Sequence, residues 1–446
     1  MKSYMRIIAL ILALLIAAIS FSGCASKPSD APKPGEQTGE NTDLNKTSVI
    51  RPAVGTGAQT IGDVEIAYVE SMNAFSAALI SAMGNDWTGV ISPLSFAMML
   101  ELLANGAAPE EQTEILNALM LSLGMKPTNE NSARLLASLK KAFKAVTGKD
   151  SEKVTEEGGK LSLMTAILVG NGDKFSSVFE GNAADYFNAS VGNIDFHDSE
   201  AALKAINGWV NENTNGLIPT LFDEIPADTV MALVNALYFQ ADWENKFTLY
   251  RGFRLSDTSF HGLHGDVMTS VLASTANYRY AVIDGNQVVL VPYANSSCYM
   301  AVILPAEGAG ANAALCSVLG RFDECKDAAV ELMMPAVELS TKLDAMEIVG
   351  TLGLPGLADG SLQFTNIVDG GNVFLTQFVH AAALKVTEFG TEAAAATGVT
   401  GTKNAGPIVA EAEYSVICNR PYAMAIVDGN TGAILFASVV NDIPVA

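Results

Sequence analysis

Basic side chains and histidine are scarce in this chain of 446 residues: 26 Lys and Arg stand against 48 Asp and Glu, and there are four His. A formal net charge of -22, with no dense Lys/Arg cluster, repels a phosphate backbone and argues against nucleic acid as a partner. The histidines, His197, His261, His264 and His380, are too scattered to set out a zinc site, although His261 and His264 could share one face of a turn. Cysteine is sparse as well. Beyond Cys24, the thiols Cys298, Cys316, Cys325 and Cys418 have no CxxC spacing, so neither a metal nor a redox site is expected. Buried free thiols are preferred to the disulfide pairings that export would permit. A long apolar run is also missing: Ile7 to Ile19 spans about thirteen residues, too short to cross hydrocarbon. No internal repeat is visible.

What is present begins with export. Lys2 and Arg6 precede that apolar run in the order of a secretory signal, assigned to residues 1–23. Phe21-Ser22-Gly23-Cys24 resembles a bacterial lipobox, with Phe21 where Leu is usual, so Cys24 is expected to carry a lipid. The protein is then a cell-surface or membrane lipoprotein; ordinary cleavage would leave it secreted. Residues 24–59, rich in Pro, Gly, Thr and Lys/Glu, suit a flexible tether. With 49% hydrophobic and 17% charged residues overall, residues 60–446 can bury a sizeable core as one domain.

Periodicity and punctuation give helices over Ile61 to Met83, Ser95 to Gly106 and Pro109 to Leu121, and another capped by Asp198 that ends near Asn215-Gly216. Strand-like runs follow at Ala232 to Gln240, Gln287 to Tyr293, Tyr299 to Leu304, Val373 to Thr387, Tyr414 to Ile417 and Ile434 to Val440. The class is α+β.

Catalytic patterns are incomplete. Ser138-Leu139-Lys140-Lys141 fits the SxxK of serine acyl-enzymes, but neither a Ser-Asp-Asn nor a Lys-Thr-Gly partner exists, so the polar face of a helix is preferred. The glycine-rich stretch Gly308 to Ala313 mimics a dinucleotide fingerprint, yet Pro305 intervenes and a plain turn is expected. No enzyme activity and no cofactor are expected.

The segment Val386-Thr387-Glu388-Phe389-Gly390-Thr391-Glu392-Ala393-Ala394-Ala395-Ala396-Thr397 follows a strand and has conflicting local preferences. Its Ala run favours helix, but Gly390 and Gly398 bracket it so closely that an isolated helix would be marginal in water, and a loop is expected. Read with period two, Thr391, Ala393, Ala395 and Thr397 form one small-residue face, and no Pro interrupts the stretch to Gly406, so it could enter a sheet.

On these residues the chain resembles the serpin family. Glu388 to Ala393 is similar to the serpin hinge, and Val416 to Ile426 to the C-terminal signature, with Tyr422 in place of the usual Phe. The similarity continues in Ile91-Ser92-Pro93-Leu94-Ser95, Ile206 to Asn211, Asn235 to Phe239 with Trp243, and Leu304-Pro305. The resemblance implies three β-sheets, eight or nine helices and an exposed reactive loop at 388–413. It places Ser92, Ser95, Asn235 and His380 where the main sheet opens, and Trp243 at its top, where a loop first enters.

It also implies suicide inhibition of a serine or cysteine protease by a monomer: the loop is cut, and its freed part inserts as a strand before the acyl-enzyme hydrolyses. The hinge is then Glu388, Gly390, Thr391, Glu392, Ala393, Ala394, Ala395, Ala396 and Thr397. Family spacing from Glu388 puts the reactive bond at Asn404-Ala405. Residues 388 through 404 would then extend about 57 Å as a strand. Lys403 is the alternative for a trypsin-like protease, and counting back from Pro421 gives a bond nearer Ala410. The competing functions are a non-inhibitory serpin that binds a partner, and a lipid-anchored hydrolase built on Ser138 and Lys141.

Overall fold

Helices start where a side chain or a proline can satisfy the first turn. The computed structural model describes residues 48–57, 62–121, 128–144, 160–214, 216–250, 259–391 and 411–443. Among them are nine α-helices: α1 (Ile66–Ala82), α2 (Pro93–Gly106), α3 (Pro109–Ala118), α4 (Thr128–Lys144), α5 (Ser177–Phe187), α6 (Ser199–Asn213), α7 (Ala311–Val318), α8 (Met346–Val349) and α9 (Pro355–Ala358). Ser92 caps α2 by accepting from the Ser95 amide, and Asp198 caps α6 by accepting from Ala201; each cap contributes about 1 kcal/mol. The first helix begins five residues later than Ile61. The third stops at Ala118, because Met120 takes a left-handed φ of 59°. Ser138 and Lys141 lie within α4, and the turn at Gly308 and Gly310 leads into α7.

The strands in chain order are β1 (Val49–Pro52), β2 (Gly89–Ile91), β3 (Lys160–Gly170), β4 (Ser190–Ile194), β5 (Met231–Asp242), β6 (Thr248–Tyr250), β7 (Ser259–Gly262), β8 (Gly265–Met268), β9 (Val271–Ile283) and β10 (Asn286–Pro292). They continue as β11 (Cys298–Leu304), β12 (Lys326–Pro335), β13 (Val337–Asp344), β14 (Gln363–Phe364), β15 (Val373–Phe374), β16 (Gln377–Val386), β17 (Gly390–Thr391), β18 (Tyr414–Ile417), β19 (Tyr422–Asp428) and β20 (Ile434–Val440).

Seven strands make the main sheet, in the order β1-β4-β3-β5-β17-β16-β13. Nine make the second, along β18-β12-β9-β10-β11-β19-β20-β2 with β6 on β9, and two hairpins, β7–β8 and β14–β15, stand apart. The long strands β9 and β12 pair over ten positions, and so join what the resemblance divides into a second and a third sheet. The run expected from Val373 to Thr387 is broken in two. The Thr376 hydroxyl accepts from the Val230 and Met231 amides and donates to the Met231 carbonyl, which takes that residue out of the ladder.

The expected tether ends sooner than 59. Val49 to Pro52 pair with Asn193 to Ser190 as an edge strand, Arg51 pairs with Glu180, and Thr56 donates its amide to Asp185. A four-residue stretch with two β-branched residues, Val49 and Ile50, inside a Pro/Gly-rich context carries too weak a pattern to be read as a strand. Cys24 and the rest of residues 1–47 lie outside the described residues.

Period two sorts β5 between two cores. Leu233, Leu237, Phe239 and Ala241 point into the large core shared with α1, α2 and the second sheet; Ala232, Val234 and Ala236 point to a smaller core beneath α6, with Ile206 and Val210. A strand buried on both faces reads as a continuous apolar run, and this one does up to Phe239 except at Asn235.

Candidate functional site at the parting of the main sheet

β5 and β16 are parallel neighbours from Ala232↔Gln377 up to Leu237↔Ala382, and there their pairing stops. Above that point β17 stands between them, antiparallel to both: Gly390 lies opposite Asp242, and Thr391 opposite Ala241 and Val386. The main sheet is therefore parted at one end, with two residues of the expected hinge already in the gap.

At the closed end, one buried polar network joins the two strands to helix α2. The Ser95 hydroxyl donates to Asn235 Oδ1 at 2.9 Å, and the Ser92 amide donates to His380 Nε2 at 3.1 Å. Because Nε2 accepts, the ring proton sits on Nδ1, which donates to the same Asn235 Oδ1 at 2.9 Å. Asn235 Nδ2 in turn donates to the Met164 carbonyl and Thr165 Oγ1 of β3, each at 3.0 Å. All four of Ser92, Ser95, Asn235 and His380 are buried, and burial depresses the His380 pKa to about 3, so its imidazole is neutral at physiological pH. Thr165 gave no signal in the sequence, since a lone Thr in a strand reads as filler.

At the open end, Trp243 is buried and stacks on Tyr293 with ring centroids 4.6 Å apart. Its indole Nε1 donates to the Thr387 carbonyl at 2.9 Å, and its amide to the Phe389 carbonyl at 2.9 Å. The Phe247 amide takes the Glu388 carbonyl at 2.9 Å. Thr391 is fully buried, with Oγ1 2.6 Å from the Tyr293 hydroxyl. Gly390 and Thr391, expected in the loop, are thus fastened into the sheet, and Glu388 and Phe389 are held in the bend before them. Gly390 is what permits this: a Cβ there would overlap the Ala241 carbonyl and come within 2.8 Å of Asp242 Cα. Tyr293 was missed, because an aromatic at a strand end looks like any core residue.

Glu392, Ala393, Ala394, Ala395, Ala396 and Thr397, and the reactive-bond residues Lys403, Asn404 and Ala405, lie outside the described residues.

Among the described residues, no group of three or more His, Cys, Asp or Glu side chains could hold a metal ion. His261 pairs with Asp266 at 2.9 Å and His264 with Asp442 at 2.7 Å, both on the surface. Cys298, Cys316, Cys325 and Cys418 are free thiols. Burial pushes Cys298 and Cys418 up to about 12 and Cys325 to about 11, which leaves no reactive thiolate.

The family model described as serpin (serine protease inhibitor) matches residues 70–443. Human neuroserpin is 26% identical over 407 residues, spanning 87% of this chain and 93% of its own. The crystal structure of tengpin, a thermophilic serpin in its native state, superposes with a TM-score of 0.74 at 24% identity, covering 87% of this chain and 98% of tengpin. Human thyroxine-binding globulin, solved with its ligand, superposes at 0.71 with 22% identity, covering 85% of this chain and all of its own, so the fold is shared by a thyroxine-binding protein. With the family model matched across almost the whole described domain, the chain belongs to the serpin family and is not an enzyme.

Proposed function

We propose that this serpin is a suicide inhibitor of a serine or cysteine endopeptidase, which it traps by inserting its cleaved loop between β5 and β16. One observation carries the reading: β17 already sets the direction, the register and the facing of an inserted strand. Continued from Thr391↔Ala241 and Thr391↔Val386, the register brings residue 393 opposite Phe239 and Leu384, and residue 397 between Asn235 and His380. Thr391 turns its side chain inward to Tyr293, so alternation turns Ala393, Ala395 and Thr397 inward too, and Glu392, Ala394 and Ala396 outward. From Thr391 to Thr397 the inward set is small, and the one charge, Glu392, falls on the outer face.

Insertion must part the six paired positions of β5 and β16 and separate Asn235 from His380. In exchange it supplies backbone partners along both strands. Two ladders replace one shorter one, a net gain of several hydrogen bonds at about 1 kcal/mol each. The intact protein is thereby metastable, and cutting the loop releases the difference.

In this reading the reactive bond is Asn404-Ala405, with Lys403 as the alternative for a trypsin-like enzyme. The inhibitor acts as a monomer without a cofactor. It is exported and held at a membrane by lipid on Cys24. A non-inhibitory role, in which the protein binds a partner, makes the opposite prediction for the same experiment. Incubation with a panel of serine and cysteine proteases should give an SDS-resistant covalent complex that is lost in Thr391→Arg. Loop cleavage with no complex from any protease would overturn the inhibitory reading.

A further inference from the structure

Three helices meet at a buried carboxyl group that the inhibitory mechanism does not use. Glu101, in the middle of α2, is 1% exposed. Its Oε1 lies 2.7 Å from the Tyr68 hydroxyl of α1, and its Oε2 is hydrogen-bonded to Ser132 Oγ of α4. Tyr68 and Ser132 are themselves 3.0 Å apart, so three side chains from three helices form a triangle of contacts. Three contacts need three protons. Tyr68 and Ser132 bring two, and the carboxyl brings the third only when it is protonated.

We propose that Glu101 is a proton-operated clasp: protonated, it fastens α4 to α1 and α2, and on ionisation the triangle loses a bond, a charge is left in the core, and the seam loosens. This rests on the packing of the three helices and not on the inhibitory reading. Among the described residues no cation offsets the charge and Tyr68 is the one titratable group that bears on Glu101; burial dominates, raising the carboxyl to about 7 against hydroxyl bonds that lower it. On α4, Glu130 and Arg134 pair with each other at 2.7 Å. The seam is also fastened one residue away, where buried Asn131 accepts from the Glu65 amide just before α1, so loosening there frees the start of both helices.

The sign follows from the raised value. The folded state holds a proton that the unfolded state has already released, so stability is full at pH values below the ordinary carboxyl range and falls as pH rises through about 7.

The test is thermal unfolding of the full chain from about pH 5 to about pH 9, with amide hydrogen exchange over α4 at both ends, on wild type, Glu101→Gln and Ser132→Ala. Wild type should lose several degrees of Tm relative to Glu101→Gln as pH rises, with α4 protection falling alongside. Glu101→Gln should show neither change. Ser132→Ala removes a bond that holds the carboxyl pKa down, so it should move the wild-type midpoint to higher pH. Parallel pH profiles for wild type and Glu101→Gln would overturn the clasp. Should Glu101→Gln not fold, an unmoved midpoint in Ser132→Ala would overturn it.

Discussion

Thr391 and Tyr293 lie 98 positions apart in sequence, yet their hydroxyls meet at 2.6 Å, both buried, where the loop first enters the main sheet. That contact fixes which way the hinge faces and holds Gly390 and Thr391 in the gap. Tyr293→Phe keeps the stack on Trp243 and leaves the Thr391 hydroxyl buried without this partner, a cost of about 1–3 kcal/mol. The expected outcome in calorimetry is a Tm lowered by several degrees; an unchanged Tm would show that the contact contributes nothing to holding the hinge.

Gly390→Ala tests how closely the hinge must approach β5. The added methyl overlaps the Ala241 carbonyl, and neither backbone can yield without breaking the Trp243 to Phe389 bond. Overpacking of this kind costs about 1–3 kcal/mol. Denaturant unfolding should show that loss, and amide exchange at Trp243 should quicken; a variant with native stability would place the backbone farther apart than described.

Much of this site was legible because its chemistry is local. Ser92 before Pro93, Asp198 before α6 and the largely apolar run of β5 mark caps and a doubly buried strand in any context. The sequence also assembled Ser92, Ser95, Asn235, His380 and Trp243, though only by family resemblance, since four of them meet across strands and a helix far apart in the chain. Strand β13 was missed although VELSTKLD alternates with period two, while β9 and β12 carry no such clean pattern, and pairing with distant partners decides their state. The hinge looked like a loop from Glu388 onward. Its first residues belong to the sheet because Trp243, Phe247 and Tyr293 hold them there, contacts that no local pattern could announce.

His380 sets an acid limit on the intact protein. Its pKa is depressed to about 3 when folded, so the unfolded state binds a proton that the folded state refuses. Stability is full above the ordinary histidine range and is lost as pH falls towards about 3, by roughly 4 kcal/mol in all. Tm measured downward from neutral pH should fall more steeply in wild type than in His380→Gln. Equal slopes would mean that the ring is protonated in the folded state.

Tyr422 stands where the family has Phe, and its hydroxyl is buried with no hydrogen-bond partner among the described residues. Tyr422→Phe removes that desolvated group and keeps the edge-on contact with Phe260, so it should stabilise the protein by about 1 kcal/mol. A clear loss of stability in urea unfolding would reveal a partner for the hydroxyl.

The most direct test of the spring-loaded sheet is the melting temperature before and after a protease cuts within residues 402–410. Insertion between β5 and β16 should raise Tm by about 10 °C or more, from a net gain of several hydrogen bonds and a filled gap. An unchanged or lowered Tm after complete cleavage would contradict the account.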